Sequence, residues 1–134
     1  MEPQLQASLE PCNAILVVED DDLIRETLQF ALELAGYKVF TAANGREGID
    51  LLGSIPRPCL ILLDLMMPVM NGWEFADAVE HDEALTTIPI VVVTAFADKA
   101  TSIRARGVLS KPASLAAVLA VAEECCAGAG DARR

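Results

Sequence analysis

The chain predicts a doubly wound α/β fold with five parallel strands, and two patterns carry that expectation. Short apolar runs recur five times, with helix-forming stretches between them. Polar and acidic residues collect just after those runs, at the strand ends where open parallel sheets gather their chemistry. The clearest run is residues 59–63, all apolar, ended abruptly by Asp64. An unbroken run of that length suits a strand buried on both faces.

The elements follow in order. Residues 14–18 form the first strand and lead straight into Glu19, Asp20, Asp21 and Asp22. Asp21 or Asp22 caps the helix that follows, and the acids suit its positive end. Ile24, Leu28, Ala31, Leu32 and Ala35 form its inward stripe, and Gly36 ends it. Residues 37–42 read as a short second strand. Asn44-Gly45 opens a helix that turns Ile49 and Leu52 inward. After the third strand, Pro68 stops continuation, and Asn71-Gly72 turns the chain into a helix carrying Trp73, Phe75, Ala76 and Val79. Residues 90–94 are β-branched throughout and make the fourth strand. Residues 97–106 are only weakly helical. Residues 107–110 form the fifth strand, before Lys111-Pro112. Ser114 caps a last helix with Leu115, Val118, Leu119 and Ala122 on one face. The expected organisation is a flexible arm over residues 1–12, one domain over 13–126 and a frayed tail over 127–134.

Composition narrows the function classes. The chain has 134 residues, 53% hydrophobic, enough for one core. Its net charge of −10 disfavours both nucleic acid and anionic membrane surfaces. No secretory signal and no membrane-length apolar run is visible. The four cysteines, Cys12, Cys59, Cys125 and Cys126, lack metal-ligand spacing. They are expected as reduced thiols of a cytoplasmic protein, Cys59 packing in the core and Cys125 and Cys126 near an exposed tail.

Three polar groups then converge at the carboxyl edge of the sheet: Glu19 with Asp20, Asp64, and Thr94 with Lys111. Carboxylates at neighbouring strand ends repel one another and need a positive charge among them. Oxygen ligands without histidine or thiolate suit a hard cation such as Mg²⁺. A carboxylate, a magnesium ion, a lysine and a hydroxyl together describe phosphoryl transfer, with the aspartate as acceptor.

These residues also carry a resemblance. Residues 15–21 (ILVVEDD), 64–72 (DLMMPVMNG), 93–95 (VTA) and Lys111-Pro112 resemble the receiver domain of two-component response regulators over about residues 13–126. The resemblance implies a flavodoxin-like sheet in order 2-1-3-4-5. It implies Asp64 as phosphoacceptor, with Glu19, Asp20, Asp64 and the backbone carbonyl of Met66 around Mg²⁺. Thr94 and the amide of Ala95 become the phosphoryl-binding switch, and Lys111 the phosphate-pairing lysine ahead of a cis proline. The implied donor is a sensor histidine kinase or histidine phosphotransfer protein, and the output a changed affinity for an unknown downstream protein. The chain is then a stand-alone signalling module. It is no turnover enzyme, its chemistry being limited to its own phosphorylation and slow dephosphorylation.

Two departures from the family pattern stand out. The aromatic residue usual three positions before the lysine is Val108, expected as a buried side chain without a rotamer switch. Thr94 and Lys111 are only 17 positions apart, so the fourth crossover helix is stunted. A monomer, or a weak dimer through some other face, follows. The apolar residues two beyond Asp64 and Thr94 are Met66 and Phe96. In the family these positions flank the attacking water, which implies slow loss of the phosphoryl group. An aspartyl-phosphate phosphatase of the haloacid dehalogenase type needs a second acid where Met66 stands. A flavin site would be repelled by four acids after the first strand. A receiver cut from a longer hybrid kinase is disfavoured by the initial Met.

Overall fold

The computed structural model describes residues 12–126. The expected arm and tail lie outside these residues, except for Cys12, which is exposed. Five parallel strands form one sheet: β1 (Ala14–Val18), β2 (Lys38–Ala42), β3 (Leu60–Leu63), β4 (Ile90–Thr94) and β5 (Gly107–Ser110). Their spatial order is β2-β1-β3-β4-β5, the flavodoxin-like arrangement.

Four helices cover the two faces: α1 (Asp22–Leu34), α2 (Gly45–Leu52), α3 (Gly72–Glu80) and α4 (Leu115–Cys125). Leu28 and Leu32 of α1 and Val118 and Ala122 of α4 pack on one face, against Ile15, Val17, Leu60, Leu62, Val91 and Val93. Phe75, Ala76 and Val79 of α3 pack on the other, against Leu16, Val18, Ile61, Leu63 and Val92, with Ile49 of α2 beside them. Alternate residues of each central strand therefore serve opposite layers, which is why the runs are apolar without a break.

Side-chain caps set the helix starts. Asp21 accepts from the Ile24 amide, Asn44 from Glu47, Asn71 from Glu74 and Ser114 from Ala117. Asn71 and Glu74 form a reciprocal capping box. Gly36, at φ 102°, turns the chain out of α1 in a conformation few other residues adopt.

The β4–β5 crossover holds no α-helix, only a 3₁₀ turn at Ala97–Ala100. The Trp73 indole N–H donates to the Lys99 carbonyl (3.0 Å) and ties this turn to α3.

Three expectations are corrected. Val108 is not buried but 41% exposed, because β5 is an edge strand whose covering helix is missing. Leu115 lies in the first turn of α4 and is also exposed, so the inward face of that helix begins at Val118. The cysteines are not all free thiols: Cys59 and Cys126 form a disulfide with Cα atoms 5.5 Å apart. Cys126 is buried rather than on an exposed tail. The bond spans 67 positions, and constraining an unfolded loop of that size favours the fold by about 4 kcal/mol in the chain-entropy account.

Candidate functional site

Strand register places the site. Val18 of β1 pairs with Leu63 of β3, so Glu19 and Asp64 leave the sheet side by side. The Asp64 amide donates to the Val18 carbonyl (2.9 Å) and continues the ladder one residue further. Thr94 pairs with Ser110, and the Lys111 amide donates to the Thr94 carbonyl (2.8 Å). Backbone pairing alone thus brings Lys111 to the rim that carries the acids.

The side chains complete the cluster. Lys111 Nζ lies 2.8 Å from Glu19 Oε1 and 3.3 Å from Asp64 Oδ1. Glu19 and Asp64 are buried, and Asp20 is exposed beside them. Glu19, Asp20 and Asp64 each offer an oxygen within 4.8 Å of the others. The other Glu19 oxygen, Oε2, accepts from the Asp21 amide (3.1 Å). An open cleft of about 440 Å³ is lined by these acids with Asp21, Met66, Ala95, Phe96 and Lys111.

Electrostatics follow from burial. Loss of water pushes the Glu19 carboxyl up, and its bonds to Lys111 and the Asp21 amide offset part of that rise. Burial also raises Asp64, against the pull of the Lys111 charge. For Lys111, burial acts downward, but the bond to Glu19 and the charges of both acids outweigh it and hold the ammonium above its usual range. Lys111 pairs with two of the three clustered carboxyl groups, Glu19 and Asp64, and leaves the Asp20 side chain outside the ion pair. That imbalance, and an all-oxygen donor set, fit a divalent hard cation.

Thr94 is fully buried beneath the cleft, and its hydroxyl accepts from the Phe96 amide (3.0 Å). The hydroxyl thereby anchors the 95–96 turn to the strand end. The Lys111-Pro112 peptide is cis. Beyond Asp64, Val69 adopts a left-handed φ of 68°, and the Met70 amide closes a three-residue turn on the Pro68 carbonyl (2.7 Å). The Met70 carbonyl then accepts from Gly45 (2.9 Å), and the Leu65 carbonyl from Gly72 (2.9 Å), which fastens the loop carrying Met66.

Arg25 is a contributor the sequence did not single out. Its Nη1 donates to the Glu19 carbonyl (2.9 Å), and its Nη2 pairs with Asp22 (2.6 Å). It steadies the backbone of the acidic turn from the first turn of α1. Its placement three residues after Asp22 was the available signal. Asp22 pairs with this arginine and does not line the cleft. His81 lies on the surface at the end of α3, held near Asp77.

A doubly wound sheet with an acidic cluster, a buried threonine and a lysine at its carboxyl edge defines a class of phosphoryl-accepting α/β domains. Residues 15–123 match the family model for the response regulator receiver domain, and the chain belongs to that family of two-component phosphoacceptor signalling proteins. It is 35% identical to the polar-differentiation response regulator DivK of Brucella anthropi over 107 residues, 76% of this chain and 86% of that protein. Over 85 residues it is 40% identical to the transcriptional regulatory protein AfsQ1 of Streptomyces coelicolor, 63% of this chain and 36% of that longer protein. Among solved structures it resembles the chemotaxis response regulator CheY4 of Vibrio cholerae, at 31% identity and TM-score 0.77, covering 85% of this chain and 98% of that one. The receiver domain of a histidine kinase from Syntrophus aciditrophicus superposes at TM-score 0.79 with 29% identity, covering 87% and 92%. Among the described residues no helix is long and apolar enough to cross a membrane.

Proposed function

We propose that Asp64 is the phosphoacceptor, taking its phosphoryl group from a phosphohistidine on a sensor histidine kinase or histidine phosphotransfer protein. The observation that carries this reading is the position of Lys111 between Glu19 and Asp64, beside an open cleft. An Asp64 carboxylate oxygen attacks phosphorus, the P–N bond to the donor imidazole breaks, and an acyl phosphate forms. Lys111 pairs with the transferred oxygens, the Ala95 amide donates to one of them, and the Thr94 hydroxyl turns from Phe96 to another. Glu19, Asp20, Asp64 and the Met66 carbonyl are the groups that would hold Mg²⁺, which would supply positive charge to offset that of the phosphoryl oxygens.

The output is a change of shape, not turnover of an external substrate. Movement of Thr94 draws on the 95–96 turn and the 3₁₀ turn behind it, which is tied to α3 through Trp73 and Lys99. A downstream protein that binds this surface differently in the two states reads the signal. Val108 is a small exposed side chain, so the readout runs through the 94–100 segment instead of an aromatic swing on β5. Self-dephosphorylation is slow because apolar Met66 and Phe96 line the cleft.

NMR with Mg²⁺ and beryllofluoride tests the reading. Amide shifts near Asp64, Thr94 and Lys111 are expected in wild type and not in Asp64→Asn. Unshifted wild-type spectra refute it.

A further inference from the structure

All four cysteines of the chain sit at the edge of the sheet opposite the acidic cleft. Cys12 precedes β1, Cys59 precedes β3, and Cys125 and Cys126 end α4. We propose that the Cys59–Cys126 bond is a reversible thiol–disulfide couple that sets how firmly the end of α4 is held against β3. The bond lies at the far end of two elements that lead to the functional rim: β3 (Leu60–Leu63) lies between Cys59 and Asp64, and α4 starts shortly after Lys111.

Both redox forms have a place in the fold. Cys59 Sγ lies 3.2 Å from the Ala14 carbonyl, an acceptor ready for the thiol proton once the bond opens. Cys126 packs in the same apolar layer as Leu28, Tyr37 and Ala122, where a thiol is as acceptable as a disulfide. In the oxidised form the bond fastens a helix end whose terminal backbone hydrogen bond runs from the Cys126 amide to the Ala122 carbonyl (2.8 Å). The last turn of α4 holds no basic residue, and Glu123 and Glu124 place negative charge at the negative end of the helix dipole. Arg106 approaches Glu124 only at 3.7 Å, from an exposed position. Transient opening of this turn is the route by which a reductant reaches two otherwise buried sulfurs.

The reaction balances with an external dithiol. Its thiolate attacks one sulfur, the Cys59–Cys126 bond breaks, and the released thiolate takes up a proton. The second thiol of the reagent resolves the mixed disulfide. Cys59 and Cys126 together gain two electrons and two protons, and the reagent becomes a disulfide. Cys12 is exposed and Cys125 half-buried; both are free thiols and stand outside the pair. Burial holds the Cys125 thiol above its usual range, which limits its competition for Cys126.

The test uses the whole wild-type chain, equilibrated in glutathione or dithiothreitol buffers of graded potential, acid-quenched, alkylated and mapped by mass spectrometry. Cys59 and Cys126 are expected to convert together between linked and doubly alkylated forms, and neither is expected to pair with Cys12 or Cys125. Amide exchange over residues 121–126 is expected to be about tenfold faster in the reduced protein. Cys126→Ala, measured the same way, should show the fast exchange at every potential. The proposal is overturned if Cys59 and Cys126 stay unlinked in oxidised glutathione, or if either pairs with another cysteine. A bond that resists dithiothreitol in the native protein, or exchange that is equal in the two forms, also overturns it.

Discussion

Lys111 Nζ stands 2.8 Å from Glu19 Oε1, nearer than the 3.3 Å that separates it from the Asp64 oxygen it is proposed to assist. In the unphosphorylated protein the lysine is therefore held chiefly by Glu19, one residue beyond β1. In the proposed function, a cation that neutralised Glu19 would free Lys111 to turn toward Asp64 and an incoming phosphoryl group. Removing the lysine leaves two buried carboxylates facing each other. Lys111→Ala is expected to cost about 2–3 kcal/mol at neutral pH, as loss of hydrogen bonds to charged groups does. Urea denaturation checks this, and added Mg²⁺ should restore part of the loss.

The opposite outcome is expected for Asp64→Asn. That change keeps the shape and removes one buried negative charge. The metal-free protein should gain about 1 kcal/mol in thermal or urea unfolding while Mg²⁺ binding weakens.

Binding of Mg²⁺ should depend on pH with a definite sign. Burial raises the Glu19 and Asp64 carboxyls, so the folded protein holds those protons more tightly than the unfolded chain. Their contribution favours the metal-free fold at acid pH and is lost as pH rises through the raised values. Lys111, also raised, contributes stability below its unfolded pKa that is lost only as strongly alkaline pH passes its folded one. Protons and metal compete for the same oxygens, so Mg²⁺ affinity should be weaker at pH 5 than at pH 8. Calorimetry, or Trp73 fluorescence, measures it; a flat profile contradicts it.

The loop after Asp64 has no spare room at Gly72. A Cβ there would meet the Asp64 carbonyl oxygen and, at 2.7 Å, the Leu65 Cα, both backbone atoms. Gly72→Ala is expected to cost about 2–3 kcal/mol as an overpacked site and to displace the acceptor loop. Gly36→Ala meets nothing within 4 Å and should cost only about 1 kcal/mol, for its positive φ. Parallel unfolding curves separate the two.

Met66 and Phe96 are both more than two-fifths exposed at the mouth of the cleft. Neither offers a polar group to hold an attacking water. The phosphorylated protein should decay slowly, and Met66→Asn should speed decay several-fold. A wild-type half-life of seconds contradicts this.

The five strands and the acids at their ends were legible because they rest on local signals, whereas the strand order came only from the resemblance to receiver domains. Apolar runs, capping residues and turn dipeptides act within a few positions, and parallel register then carries Asp64 and Lys111 to one rim. The disulfide was not legible, because Cys59 and Cys126 are 67 positions apart and meet only once α4 has docked. The exposure of Val108 is hidden from the sequence for a related reason. An apolar residue in a strand reads as buried, but β5 is an edge with a 3₁₀ turn where a covering helix would stand. The i,i+3 spacing of Asp22 and Arg25 signals their ion pair, but the bond from Arg25 to the Glu19 backbone carbonyl leaves no mark in the side-chain pattern.

The central claim is that Asp64 takes up a phosphoryl group with help from a divalent ion. Intact-mass and peptide-mapping spectrometry after incubation with acetyl phosphate tests it most directly. One phosphoryl group should appear on Asp64 in wild type with Mg²⁺, and none with a chelator or in Asp64→Asn. An unlabelled wild type, or equal labelling without the metal, would contradict it.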